Sequence, residues 1–474
     1  MVAIGSISAW QPGRGPVTTW TASPASRSIM ARAGRDPLPP SFQQAQHLRA
    51  AHFANAAGRE VPRLVIASWN VEGWCDVAAM TEAINAHIRR HDTYHSAFDI
   101  VDSTAETIIR RTVDDPEHIE FIPTALGFME SEEIRNLLAT ATPDTLEWDC
   151  FTFGVIQKSD HFTVYANIDH LHTDGASAVL IYRDIHLAYQ ALLHDVPNPL
   201  PRPASYRDYT ARQRMRADAI TPESRPVSAW ADFIRDADGN GAAFPLSVGD
   251  TATSTAGRVI TLELLDAAQT AAFDAACASA GARFSGGVMA CAALADHRIT
   301  GAGNFHALTP ADTRSGDRQA LSAGWYASLF PVSVAVDGGD FGSTARSAQK
   351  SFDANKNLAA VPLRRVMELG SGSGALVPLR SGGAPMMVSL FDFRTLADAD
   401  TSRLGIYIDD LSRGEVNVWV TRNADQTIVT VSFPDTAEGR HSVHHYLGVL
   451  RSVFVEFAGT PTTDADDQAF AHSA

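Results

Sequence analysis

The chain has 474 residues, 45% hydrophobic and 19% charged, with a formal net charge of −16. That length is too great for one ordinary core and predicts two domains of roughly 200 residues each, and the composition is that of a globular rather than a disordered chain. The acidic balance speaks against a nucleic-acid partner, because phosphate binding needs a basic surface. No apolar run approaches the ~20 residues of a membrane span, and the N-terminus lacks a basic region followed by an apolar core, so a cytoplasmic location is expected.

The first clear elements are a strand from Arg63 to Asn70 and a helix from Asp76 to Arg90, in which Val77, Met80, Ile84 and Ile88 recur at helical spacing. The run from Arg89 to Val101 reads as a turn entering a strand, and Ile108–Val113 and His118–Ile122 read as short strands. Phe151–Gln157 and His161–Ile168 form a hairpin around Lys158-Ser159-Asp160, and a helix follows from Ala176 to His194. The proline-rich run Val196–Pro203 marks the exit from the first lobe. The predicted organisation is an N-terminal lobe over 1–200, a crossover linker over 201–250 with one helix near Ser228–Asp236, and a C-terminal lobe over 251–474.

In that second lobe the predicted helices are Ala267–Ala282, Gly286–Ile299, Thr344–Asn355 and His441–Phe457. The predicted strands are Arg258–Leu265, Phe305–Thr309, Phe330–Val336, Met387–Asp392, Glu415–Thr421 and Thr427–Phe433. Helices and strands mix without regular βαβ alternation, so the expected fold class is α+β. Cys75, Cys150, Cys277 and Cys291 are widely spaced in apolar stretches and read as buried thiols.

The chemistry concentrates in Asp169-His170-Leu171-His172-Thr173-Asp174-Gly175, between an apolar strand and a helix. An imidazole with a pKa near ~6.5 accepts a proton at neutral pH and returns it. Three readings stand: histidines that cap the next helix; a metal site from His170-x-His172-x-Asp174, for which Gly175 replaces the final histidine of the metallohydrolase pattern and no further ligands stand out; and a general base for acyl transfer.

The third reading rests on resemblance. The loop is similar to the H-H-x-x-x-D-G motif of the chloramphenicol-acetyltransferase-like superfamily, which includes the condensation domains of peptide synthetases. Asp169 takes the first histidine position, His170 the catalytic one, and Asp174-Gly175 close the motif. Residues 66–94, 148–157, 281–301, 308–314 and 324–332 resemble the polyketide-associated, trehalose-esterifying acyltransferases of mycobacteria and related actinobacteria. The resemblance implies two similar lobes in a V with the active site in a tunnel between them.

It also implies roles. Asp174 pairs with Arg314 across the lobes and fixes the loop, and Gly175 lets the backbone turn tightly beside the acyl carbonyl. Asp169, Ser328 and Ser389 are weaker tunnel candidates, and His91-Asp92 hold a turn beneath the site. The glycine-rich run 369–374 reads as a flexible loop rather than a phosphate cradle.

The expected function is transfer of a long acyl chain from a thioester, either acyl-CoA or the acyl carrier domain of a polyketide synthase, to a hydroxyl of trehalose or an acylated trehalose. No metal or other cofactor is expected, and the partners implied include peripheral contact with a lipid exporter. Amide formation by a free-standing condensation domain, a metallohydrolase and a non-catalytic lipid carrier are the rival readings.

Overall fold

The computed structural model describes residues 4–237, 242–251, 256–373, 384–396 and 404–459. The protein is α+β, with two sheet-containing lobes. One compact unit comprises Met1–Ile220, Asp312–Ser328 and Asp398–Leu411, and the other Thr221–Ala311, Leu329–Ala397 and Ser412–Ala474.

The division differs from a cut along the chain at 200 and 250, for two physical reasons. The segment around Arg314 belongs to the first unit because its guanidinium is buried there against Asp174. The strand Gly405–Ile408 belongs there because it pairs antiparallel with Leu64–Glu72. The expected Asp174–Arg314 pair therefore lies inside the first unit and is no bridge between lobes.

The first unit is built on a seven-stranded sheet. Its order is Ile4–Ser6, Gly405–Ile408, Leu64–Glu72, His161–Asp169, Phe151–Gln157, Gly15–Ala22 and Phe121–Met129. The three central strands are buried along almost their whole length, so both faces are covered. Gly154 is required in this packing: a Cβ there would stand 2.2 Å from the buried Tyr165 ring. Helix Val77–Arg90 is capped by Asp76, whose carboxylate accepts from Ala78 and Ala79 N–H at 2.9 and 3.0 Å. It packs against helix Gly175–Leu193.

The register sets the position of the chemistry. Leu64–Glu72 pairs with His161–Asp169 without interruption from Glu72–His161 to Leu64–Asp169. The next residue, His170, donates its backbone N–H to the Arg63 carbonyl at 2.6 Å. The loop thus leaves the end of a central strand whose last residue is locked on both sides.

The second unit holds a six-stranded mixed sheet, ordered Gly257–Leu265, Thr427–Pro434, Val416–Arg422, Met386–Asp392, Asn304–Asp312 and Ala327–Ala335. Its core joins Phe273, Phe284, Met289, Phe330, Phe433, Tyr446 and Phe454. Most predicted elements of this half recur with ends shifted by a few residues, as in Phe284–Thr300 and Ala437–Phe457.

Two local readings are corrected. The predicted strand His118–Ile122 begins as a 3₁₀ turn, Pro116–His118, because Pro116 opens it and Asp115 caps it through Glu117 N–H at 3.1 Å; the strand runs instead over Phe121–Met129. The glycine-rich run read as a loop forms, through Ser373, the end of helix Leu363–Ser373; residue 374 lies outside the described residues. Among the described residues no helix is long and apolar enough to cross a membrane.

Candidate active site

The site is assembled from the His170 loop, the helix it opens, and the segment around Arg314. Asp174 is the N-cap of helix Gly175–Leu193, accepting from Ser177 N–H at 2.8 Å. Gly175 is the first helical residue and is not among the glycines with positive φ, so the turn expected of it is made by the cap instead.

The other Asp174 oxygen accepts from Tyr326 and Ala327 N–H at 2.8 and 3.1 Å. The Arg314 guanidinium spans both oxygens, 3.1 Å from each. It also donates to Ser177 Oγ at 2.7 Å and to the Ser322 carbonyl at 3.1 Å, and lies over the Tyr326 ring. The two side chains are 3% and 5% exposed, so this is a buried, bidentate pair with its remaining hydrogen-bonding capacity used. Burial pushes the Asp174 carboxyl up, but Arg314 outweighs it and holds the group below the usual carboxylate range.

The neighbouring turn is fixed by Gly324. Its φ of +147° is one that side-chain-bearing residues rarely adopt, and a Cβ there would stand 2.4 Å from the Tyr206 ring. Ser177 Oγ accepts from Gly324 N–H at 3.1 Å. The next residue, Trp325, lies over His170, with ring centroids 3.8 Å apart.

His170 itself is half-buried. Its Nδ1 is buried without a hydrogen-bond partner from another residue. Burial, with repulsion from His47 second, pushes its pKa down to about 4, so the ring is neutral at pH 7. His172 turns the opposite way: its Nδ1 meets Thr93 Oγ1 at 3.2 Å and its ring packs on Tyr94 and Phe151. His170, His172 and Asp174 therefore do not converge on a common point, as the metal reading requires.

Asp169 is fully buried. One oxygen accepts from His47 Nε2 at 2.8 Å and Leu171 N–H at 2.9 Å. The other accepts from Thr145 Oγ1 at 2.6 Å and Arg63 Nη1 at 3.3 Å. Burial raises its pKa, and His47 and Arg63 more than reverse that. Sequence reasoning missed His47, Arg63's side chain and Trp325. The signal available for His47 was the Ser41-x-x-Gln44 capping box, which starts helix Phe42–Ala56.

The weaker candidates are dispersed. Ser328 is buried at the start of strand Ala327–Ala335, next to the Ala327 N–H that binds Asp174. Ser389 is buried on strand Met386–Asp392 of the second unit, its hydroxyl unpartnered.

Among the described residues one group has the makings of a metal centre: His87, His91 and Asp184, all buried. Asp184 Oδ2 already accepts from Arg90 Nε at 3.0 Å and lies 2.7 Å from His91 Nε2, with His87 Nδ1 at 3.7 Å. His91 Nδ1 accepts from Ala323 N–H at 3.2 Å. A guanidinium on the carboxylate repels a cation, so the group is built as an ion-pair network.

Residues 64–371 match the condensation-domain family profile. The acyltransferase PapA3 of Mycobacterium tuberculosis H37Rv is 38% identical over 465 residues, covering 96% of this chain and 97% of that one. The trehalose-2-sulfate acyltransferase PapA2 of the same strain is 41% identical over 468 residues, covering 98% and 99%. The solved structure of a PapA2 acyl transferase superposes with a TM-score of 0.89 at 40% identity, over 96% of this chain and 99% of that one. Matched across nearly its whole length, this chain belongs to the condensation-domain family and, within it, to the PapA acyltransferases.

Proposed function

We propose that this protein transfers a long-chain acyl group from a thioester to a hydroxyl of trehalose or a trehalose derivative, with His170 as general base. The observation that carries the reading is His170 itself. It is neutral at pH 7 and half-buried on a loop pinned at both ends, by the Arg63 carbonyl and by the Asp174–Arg314 pair.

In the reaction His170 takes the proton of the acceptor hydroxyl, and the oxygen attacks the thioester carbonyl carbon. The carbon–sulfur bond breaks as the tetrahedral intermediate collapses, and His170 returns the proton to the leaving thiolate. A positioned base of this kind contributes a factor of ~10²–10⁴. The sugar acceptor is inferred from the similarity to PapA2, a trehalose-2-sulfate acyltransferase, and a cytoplasmic location is part of the same reading, since the thioester donor is expected there.

The test is incubation with palmitoyl-CoA and, separately, trehalose, trehalose-2-sulfate and an amine acceptor, with products read by mass spectrometry. A sugar ester, lost in His170→Ala, is the expected result. An amide product, or no ester with either sugar, overturns the reading.

A further inference from the structure

A histidine base needs its ring held at a defined angle, because the torsion that turns an imidazole about its stem is broad and roughly two-fold. The common device is a carboxylate on the far ring nitrogen. Two carboxylates flank His170 in sequence, yet both are engaged elsewhere: Asp169 by His47, Thr145, Arg63 and Leu171, and Asp174 by Arg314, Ser177, Tyr326 and Ala327. What meets His170 instead is a set of rings. Trp325 lies on it at 3.8 Å with the planes 36° apart. His47 meets Trp325 edge-on at 5.5 Å and 72°, and its own ring is 6.4 Å from His170. Asp169 fixes His47 through the 2.8 Å contact to Nε2.

Resting on the reading of His170 as base, we infer that Trp325 is a positioning residue for this reaction: braced by the Asp169-anchored His47, it holds the His170 ring by stacking where other histidine enzymes use a carboxylate. Two further details fit. Trp325 follows Gly324, whose N–H and carbonyl both bond to Ser177 Oγ, at 3.1 and 2.8 Å, so the indole leaves a turn tied to the helix that the His170 loop opens. Asp169, which departs from the histidine of the family motif, acquires a role that needs a carboxylate: it anchors His47.

The test combines kinetics with a measurement that needs no turnover. Trp325→Ala should lower kcat by ~10–100-fold, in line with the ~10²-fold cost of a small misplacement of a reacting group. KM should stay within about twofold, and Trp325→Phe, which keeps a ring, should recover most of the rate. A raised KM at unchanged kcat would make Trp325 a wall of the substrate site and overturn the inference, as would a Trp325→Leu variant as active as Trp325→Phe.

Independently, histidine-labelled protein gives a ring-carbon resonance for His170, assigned by its loss in His170→Gln. Its titration should lie well below that of an ordinary histidine in the parent and should rise in Trp325→Phe and further in Trp325→Leu, as cover is lost. The charged or titratable groups around the ring are His47 on its helix, Asp169 and Asp174 on its own loop, and Arg63 and Arg314 behind them; none is altered in these variants. An unchanged titration in both variants overturns the inference even if no acceptor is turned over. Transfer that survives His170→Ala would instead defeat the base reading itself.

Discussion

Two of the histidine–aspartate groups in the first unit, around Asp184 and around His170, are built in opposite ways. Around Asp184 the carboxylate draws in Arg90, His91 and His87, and all three of His87, His91 and Asp184 are buried. Around His170 the two carboxylates are turned away to Arg314, Arg63 and His47, and the residue is half-buried. Composition alone does not distinguish them. The difference is what the carboxylate does: Asp184 accepts directly from Arg90 and meets His91 at 2.7 Å, whereas neither carboxylate beside His170 bonds to its ring, whose Nδ1 has no hydrogen-bond partner. A sealed network organises structure, whereas a base must be supported without being consumed.

The largest effect should separate the two groups outright. His170→Ala is expected to remove transfer by ~10²–10⁴-fold with little change in thermal unfolding. His91→Ala should do the reverse, because it strips a partner from a buried carboxylate, and losses from breaking such a group reach ~3–5 kcal/mol. Its unfolding midpoint should fall while the folded fraction keeps its turnover. A His91→Ala protein that is fully stable yet inactive would erase the contrast. His172→Ala, whose ring faces Tyr94 and Phe151, should retain most activity.

The second effect is on the support of the catalytic loop. Arg314→Ala should destabilise the protein by about 3–5 kcal/mol, since it leaves the buried Asp174 charge without a cation, and Asp174→Ala should cost less, because Arg314 keeps Asp312 at 3.0 Å. In a double-mutant cycle of denaturant unfolding, the pair together should cost clearly less than the sum of the singles. Strict additivity would mean the pair makes no joint contribution.

How much of this was legible in the sequence follows from which forces act locally. The strand ending at Asp169, the helix after it and the four predicted helices of the second lobe are long runs rich in apolar residues bounded by turn or capping residues, and such local composition is readable from sequence. The Asp174–Arg314 pair was reachable by resemblance alone, since 140 positions separate the residues. Its placement within one unit was not, because the packing of segment 312–328 is decided by tertiary contacts. Residues 1–62 gave no strong periodicity; helix Phe42–Ala56 places polar Gln44 and His47 among its buried residues, which masks the stripe a sequence reader looks for. His47 and Trp325 lie near His170 only in three dimensions; the Ser41 capping box marks the helix that carries His47, but nothing in either neighbourhood marks the contact with His170.

A third expectation concerns pH and is smaller in absolute rate. Burial and the nearby His47 pull the His170 pKa to about 4. The base works in its neutral form, so lowering the pH from 7 towards 5 should leave kcat/KM nearly flat, and activity should fall as the pH passes through about 4. An unburied histidine would lose half its activity near ~6.5. A profile of kcat/KM, with circular dichroism confirming that the fold persists, distinguishes the two. An acid limb near 6.5 would show the ring to be more hydrated than its surroundings here imply, and would bring the two groups closer together.

The smallest expected effect is none at all. If the Asp184 group is an ion-pair network and the His170 loop a metal-free base, a strong chelator should leave both transfer and the unfolding midpoint unchanged. The reasoning is electrostatic. A divalent cation at His87, His91 and Asp184 would have to displace Arg90 from the carboxylate and break the 2.7 Å contact of His91. It would then sit beside an unpaired buried guanidinium, a costly state. At the other group, the ligand atoms of His170, His172 and Asp174 do not come together closely enough to hold an ion. The protein should be dialysed against chelator, assayed for ester formation and unfolded by heat, and then assayed again with added zinc. A fall in midpoint restored by zinc, with transfer following the folded fraction, would make the Asp184 group a structural metal centre. A loss of transfer at unchanged midpoint, also restored by zinc, would put the metal at the reacting atoms and return the metallohydrolase reading to the His170 loop.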